Sequence, residues 1–313
     1  SMGDIRIGPL MNETVSFGLK RWGVVLRVAW APMLATAVVA AAALFLAFGP
    51  VMNDPELVAV IEGLEDETDM SVITETMQPY LGTLAPAMIL GLVVIFIAAT
   101  AFYGMIAAPI SRLVILGEEP QGIFHLRFTG PAARYAVTQG LLILIGLLMF
   151  GLVFAVTGAV AMTGGEAGEP PGALSGLGLG LFLAAPIVLI LVNVRLLPMS
   201  PGSAAEDRIL LLAAWRMTKG RFWALFGAAV VYFLLVLGIA MGVQIAMSLV
   251  QGVGVLVTGL LAAAFGGGGA FLSAVVGALI AFVLLIANAI YLAFSYALQI
   301  AFPAIIYREL SRA

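Results

Sequence analysis

Six long apolar stretches constrain this chain more than any other feature of its sequence. Crossing a bilayer as a helix takes about 20 mostly apolar residues, and each stretch is of that order or longer. The stretches are continuously apolar, whereas the strands of a membrane barrel are short and alternate. Only 10% of the residues are charged, against roughly 25% in a soluble domain, which excludes a water-soluble globule. We therefore predict an all-α integral membrane protein with six transmembrane helices, at roughly 31–49, 84–108, 136–162, 176–198, 223–249 and 271–302.

Two shorter segments are predicted to form further helices. The stretch 253–264 is apolar but too short to span, and a run of four glycines follows it at 266–269. We expect an interfacial or re-entrant helix there. Ser203 is followed three residues later by Glu206, the spacing of a capping box, so Ser203 is predicted to cap the start of a helix. An amphipathic helix over 205–219, with its basic residues on one side, is predicted to follow.

The distribution of charge predicts the orientation. All fourteen lysines and arginines lie in the terminal segments, or in or near the connections between spans 2 and 3 and between spans 4 and 5. Lysine and arginine mark the cytoplasmic side, so both termini are predicted to be cytoplasmic. The acidic loop 50–83 contains no basic residue and is therefore expected to be extracytoplasmic, as a solvated cap with a short helix over 55–66. A cation-binding loop is the alternative, but the calcium-loop spacing is absent.

The six spans group into three similar helix pairs within one membrane domain covering 1–313. The pairs extend over approximately 11–108, 109–198 and 203–308. Each opens with an amphipathic cytoplasmic stretch, crosses outward, returns, and ends near a proline and an arginine. Units related in this way share one orientation, so we predict parallel rather than inverted repeats.

A motif around the fourth and fifth spans resembles a known bacterial membrane domain. It consists of VRLLP at 194–198, Glu206, and AWRMTKGRFWALFG at 214–227. The segment 190–228 resembles the membrane domain attached to some glycerophosphodiester phosphodiesterases and its free-standing six-helix relatives. This resemblance implies a bacterial inner-membrane protein of helical pairs. It implies no phosphodiesterase activity, because catalysis in those enzymes belongs to a separate soluble α/β barrel for which this chain has no room.

Residues that carry enzymatic chemistry are scarce. The chain has no cysteine and one histidine, His125, which excludes disulfides, thiolate nucleophiles and multi-histidine metal centres. Neither a Walker-type phosphate loop nor an HExxH motif occurs. We therefore predict a protein that is not an enzyme, with no catalytic residue, no metal and no cofactor.

The leading functional hypothesis is a structural, accessory or lipid-interacting module of the membrane. We expect membrane lipids as partners, anionic phospholipids among them, and no nucleic acid; protein partners and homo-oligomerisation are left open. Basic residues near the cytoplasmic boundary would contact lipid headgroups. The candidates are Arg112, Arg195, Arg208, Arg216, Lys219 and Arg221.

The alternative hypothesis is a transporter or channel for a lipid-like or small neutral solute. Polar residues inside spans are the usual place to look for function. The candidates for lining a cavity are Asn193, Asn288, Tyr291 and Gln299. The same side chains would otherwise form hydrogen bonds between packed spans. An internal cavity at these residues would favour the transporter or channel.

Overall fold

The computed structural model describes residues 6–52, 54–63, 70–122, 125–163 and 173–312. Every regular element in this part of the chain is an α-helix, as predicted. The helices are α1 (Ile7–Met52), α2 (Pro55–Gly63), α3 (Met70–Leu116), α4 (Gly130–Thr163), α5 (Ala173–Leu196), α6 (Met199–Ala205), α7 (Leu211–Met217) and α8 (Phe222–Arg312). Helix α2 corresponds to the short helix predicted over 55–66, of which residues 64–66 lie outside the described residues.

Six helical segments of the described chain are long and apolar enough to cross a membrane, which confirms the predicted number and indicates a multi-pass membrane protein. They are Ile7–Gly49, Ala85–Leu116, Gly130–Val156, Ala184–Ala205, Phe222–Phe265 and Gly269–Arg312. Several extend well beyond the predicted apolar stretches. Polar residues beside an apolar stretch continue the same helix, because the helical hydrogen bonds do not end where the hydrocarbon does.

Helix α8 folds back on itself and supplies the last two spans as two antiparallel arms, Phe222–Phe265 and Gly269–Arg312. The Ser273 hydroxyl donates a 2.8 Å hydrogen bond to the carbonyl oxygen of Thr258 in the opposite arm. The separate interfacial or re-entrant helix predicted over 253–264 is therefore wrong, since these residues continue the first arm. The apolar stretch ends near 249 in the prediction only because glycines and Gln251 lower the local hydropathy.

The core of the bundle lies at one end, which we call the basic end because Arg21, Arg112, Arg134 and Arg308 form ion pairs there. Helix α1 packs against α3 and α8, and α4 packs against α3, α5 and α6. The largest fully buried side chains, including that of Phe302, belong to this end. At the other end the apolar side chains are exposed, as expected of surfaces that face lipid tails.

The short helix α6 lies inside the basic end, between α3, α4 and α8. Its residues 199–204 are all buried. Ser203 does not cap the start of a helix, so the predicted capping box is wrong. Its hydroxyl instead donates to the carbonyl oxygen of Met199 at 2.7 Å and accepts from the backbone N–H of Leu210 at 3.0 Å. Tertiary burial therefore sets the role of this serine, and Glu206 caps the end of α6 rather than its first turn.

Glu206 joins the end of α6 to the last span. Its carboxylate accepts a hydrogen bond from the Tyr307 hydroxyl and a 2.6 Å hydrogen bond from Arg208. The pKa of Glu206 is lowered, chiefly by the Tyr307 hydrogen bond and further by Arg208, while partial burial acts against this shift. The carboxylate form thus holds α6 against α8.

Asp207, the next residue, links the end of α6 to α3 and α4. Its carboxylate forms an ion pair with Arg134 and lies 4.0 Å from an Arg112 nitrogen. Its backbone adopts the left-handed region, with a φ of 57°, two residues after the end of α6. The amphipathic helix predicted over 205–219 is therefore too long: only residues 211–217 form α7, and Arg208 precedes it.

Candidate functional site

Two adjoining cavities lie between the helices, with volumes of about 570 Å³ and 280 Å³. Tyr103, Gln139 and Gln299 line both, so we treat the two together as the intramembrane cavity. Its described lining contains no charged residue. Besides apolar residues it carries uncharged polar side chains, namely Thr36, Thr100, Tyr103, Tyr135, Gln139, Asn193, Ser200, Tyr232, Tyr296 and Gln299.

Tyr103 occupies the junction of the two cavities. Its ring centroid lies 5.9 Å from that of Tyr135 and 6.0 Å from that of Tyr296. These three rings come from α3, α4 and α8. Aromatic rings at such separations attract one another beyond their simple area of contact, so they fix the shape of the junction.

The side-chain amides of Gln139 and Gln299, beside these rings, have donors and acceptors that no other described residue uses. The Ser200 hydroxyl donates to the Gln139 side-chain oxygen at 3.4 Å, and Gln299 donates to the Ser295 hydroxyl at 3.3 Å. Both bonds are long, and a primary amide offers two donors and an acceptor with two lone pairs. Each amide therefore retains hydrogen-bonding groups for a bound molecule.

Tyr232 adds a further polar group from the first arm of α8. Its ring stacks on Phe302, with centroids 4.1 Å apart and an interplanar angle of 5°. Its hydroxyl is buried and has no hydrogen-bond partner among the described residues. Because a buried hydroxyl without a partner is costly, this group favours a ligand that could satisfy it.

The predicted cavity residues divide into two groups. Asn193 and Gln299 line the intramembrane cavity. Asn288 is exposed, and Tyr291 lines a separate, apolar groove of about 470 Å³ between the two arms of α8. Asn288 shares a helix face with Gln299 but lies about 16 Å farther along the axis and lines neither part of the intramembrane cavity.

Gln139 of α4 is among the polar span residues that the sequence indicates, whereas Thr100 and Tyr103 of α3 and Tyr135 of α4 were not selected. The signal that would have found them is a pair of polar residues spaced three or four apart within an apolar span. Thr100 and Tyr103 form such a pair in α3, and Tyr135 and Gln139 form another in α4.

Three of the predicted headgroup-binding residues are engaged within the protein. Arg112 donates to Glu118 at 2.8 Å and to the carbonyl oxygen of Ala204 at 3.1 Å. Arg195 lies over the Trp215 ring, 4.7 Å from its centroid. Arg208 pairs with Glu206. These contacts tie elements of the basic end together.

The other three predicted residues form a basic surface around α7. Arg216, Lys219 and Arg221 make no ion pair with any described residue, and the first two are exposed. Trp215 and Trp223 beside them are exposed as well, the latter by 78%. Exposed indole rings next to free cations are typical of a membrane–water boundary.

Comparison of the chain with protein-family models, with curated proteins and with solved structures finds no match.

Proposed function

We propose that this protein is a non-enzymatic membrane protein that binds a lipid-like or small neutral molecule in the intramembrane cavity, as a transporter, channel or holding site would. The observation that carries the proposal is the uncharged polar lining, which converges on Tyr103 between otherwise apolar helices. A volume of about 570 Å³ lies within the usual range for small-molecule sites.

The chemistry of the lining selects for an uncharged ligand. A charged group buried at this depth is expensive unless an opposite charge meets it, and the described lining offers none. Hydroxyl and amide groups suit the hydroxyl, ester or amide of an uncharged amphipathic molecule. None of these side chains changes charge near neutral pH, so binding should be the same at pH 6 and pH 8.

The double variant Gln139→Leu/Gln299→Leu tests this proposal. It removes both amides at the junction of the two cavities, and each lost hydrogen bond costs about 0.5–1.5 kcal/mol. We expect roughly tenfold weaker binding of dioleoylglycerol, an uncharged lipid. Native mass spectrometry of the protein in neutral detergent measures the bound fraction.

Gln244→Leu is the matched control, because Gln244 is an exposed amide of an apolar arm that lines neither cavity. It should bind the lipid like the wild type. Equal weakening in the control and the double variant, or no binding by the wild type, would contradict the proposal.

A second candidate function is contact with anionic lipid headgroups through Arg216, Lys219 and Arg221. The absence of ion pairs with described residues and the exposed tryptophans beside them support it. A basic residue near an anionic surface contributes about 1 kcal/mol. Changing all three to Gln should therefore reduce phosphatidylglycerol binding tenfold or more, while phosphatidylcholine binding stays constant, by native mass spectrometry. Unchanged phosphatidylglycerol binding would reject this function.

The membrane setting proposed for both functions is the bacterial inner membrane, with the basic end in the cytoplasm. The excess of Lys and Arg at that end supports this orientation. Three parallel helix pairs are supported by the pairing of α1 with α3, α4 with α5, and the two arms of α8. Kinship with the membrane domain of glycerophosphodiester phosphodiesterases is likewise proposed, on the motif at 194–227.

A further inference from the structure

A third cavity, of about 750 Å³, opens at the basic end and is separate from the intramembrane cavity. We call it the basic-end cavity. Its walls are one face of α3, the first turn of α4, and residues 121, 122, 125, 127 and 129 between them. The polar groups in these walls are the side chains of Arg112, Gln121, His125, Arg127 and Thr129. No carboxylate lines it among the described residues.

The charge of Arg112 in this cavity is balanced by Glu118, whereas that of Arg127 is not. Arg127 forms no ion pair with any described residue. The neighbouring Arg27 donates to the carbonyl oxygen of Pro120 at 3.2 Å rather than to a carboxylate. The two carboxylates of the connecting segment, Glu118 and Glu119, are already paired with Arg112 and Arg21.

His125 lies close to these positive charges and lacks a hydrogen-bond partner at one ring nitrogen. Its Nδ1 atom is buried and has no hydrogen-bond partner among the described residues. The pKa of His125 is lowered, first by burial and then by the charges of Arg27 and Arg127. An anion seated beside Arg127 would offset that charge and give the imidazole a partner.

The wall formed by the start of α4 also contributes a positive potential. Thr129 immediately precedes the helix, and its carbonyl oxygen accepts from the N–H of Ala133 at 2.9 Å. The first turn of a long helix therefore lines the cavity with Pro131 and Ala132, of which only Ala132 has a backbone N–H, and the helix dipole is positive there. The helix dipole and the unpaired charge of Arg127 both favour a negative ligand.

We propose that the basic-end cavity binds a phosphate group, held by Arg127 with His125 and Thr129 beside it. A guanidinium matches phosphate geometry through paired N–H donors, which makes Arg127 the principal contact. The phosphate could belong to a lipid headgroup or to a free ion. This inference does not depend on the uncharged ligand proposed for the intramembrane cavity, because the two cavities share no lining residue.

Arg127→Gln tests the proposal with two probes. The full-length protein in neutral detergent is titrated with inorganic phosphate by calorimetry and, separately, with phosphatidylglycerol by native mass spectrometry. We expect about tenfold weaker binding of at least one probe, the size expected when one charge-assisted contact is lost. Loss in both arms, or in the lipid arm alone, indicates a headgroup; loss in the inorganic phosphate arm alone indicates a free phosphate ligand.

Arg312→Gln is the matched control. It removes the same charge from an exposed arginine at the basic end that lines no part of the cavity, so long-range electrostatics change equally. Arg127→Lys should give intermediate binding, since it keeps the charge and loses the paired donors. Equal binding by Arg127→Gln and Arg312→Gln, or binding of neither probe by the wild type, would overturn the proposal.

Discussion

Gly104→Ala is expected to destabilise the protein by about 1–3 kcal/mol, the usual cost of overfilling a packed core. A Cβ atom at Gly104 would lie 2.6 Å from the carbonyl oxygen of Ala132 and 2.8 Å from the Cβ of Ala136. The first of these is backbone, so no side chain can rotate away and α3 must separate from α4. Thermal unfolding of the purified protein in detergent measures the loss.

Gly146→Ala provides the control within α4, because no atom lies within 4 Å of a Cβ at that position. Alanine is the better helix former, so this variant should be neutral or slightly more stable. Equal losses in the two variants would show that α3 and α4 do not depend on close approach at Gly104.

The contact at Gly104 also positions the intramembrane cavity. Tyr103 precedes this glycine, and Tyr135 and Gln139 lie beside Ala136 in α4. Separation of the two helices would displace all three lining side chains together. The variant should therefore also bind dioleoylglycerol more weakly, whereas Gly146→Ala should not.

Gly202→Ala is expected to cost a similar 1–3 kcal/mol by a different route. A Cβ atom there would lie 2.5 Å from the Tyr307 ring and 2.8 Å from a methyl carbon of Leu210. Both neighbours are buried, so the ring has little space into which it can move. Thermal unfolding again measures the effect, with Tyr307→Phe as a variant that keeps the ring and removes only the hydroxyl.

The pH dependence of stability distinguishes the two variants. Because the pKa of Glu206 is lowered by the Tyr307 hydroxyl, its carboxylate contributes stability above the unfolded-state pKa of about 4.3 and loses it as the pH falls through the folded-state pKa. The cost of Tyr307→Phe should therefore shrink below about pH 4.5. The cost of Gly202→Ala should persist in acid, since it is mainly steric. A cost of Tyr307→Phe that does not change with pH would contradict this assignment.

The transmembrane helices could be predicted from the sequence because their signal is local. An apolar run of sufficient length must be helical in lipid, whatever its neighbours are. The buried helix α6 could not be predicted in this way. Ser203 and Glu206 have the spacing of a helix start. In the structure Ser203 instead lies within α6, and α6 is buried between α3, α4 and α8. The position of the turn in α8 likewise depends on contacts between its arms.

The candidate site was predictable in part, for a reason that can be stated geometrically. Helical periodicity gives the face on which a residue lies, which suffices for Gln299. It does not say where along that face the neighbouring helices leave a cavity, and Asn288, on the same face as Gln299, lines no part of it. The basic-end cavity was beyond prediction, because it brings Arg112 of α3 next to a connecting segment whose path no local pattern specifies.

The charge-free length of α8 has a consequence for how the protein enters the membrane. No charged residue lies between Arg221 and Arg308, which stand at the two feet of this hairpin. A hairpin of this kind inserts from the basic side without moving any charge through hydrocarbon, where each would cost about 2.5–3.5 kcal/mol. In the orientation proposed above, the connection between the first two spans has to be translocated with the eight acidic residues of segment 50–83. In that orientation, insertion of the third pair is the least demanding of the three.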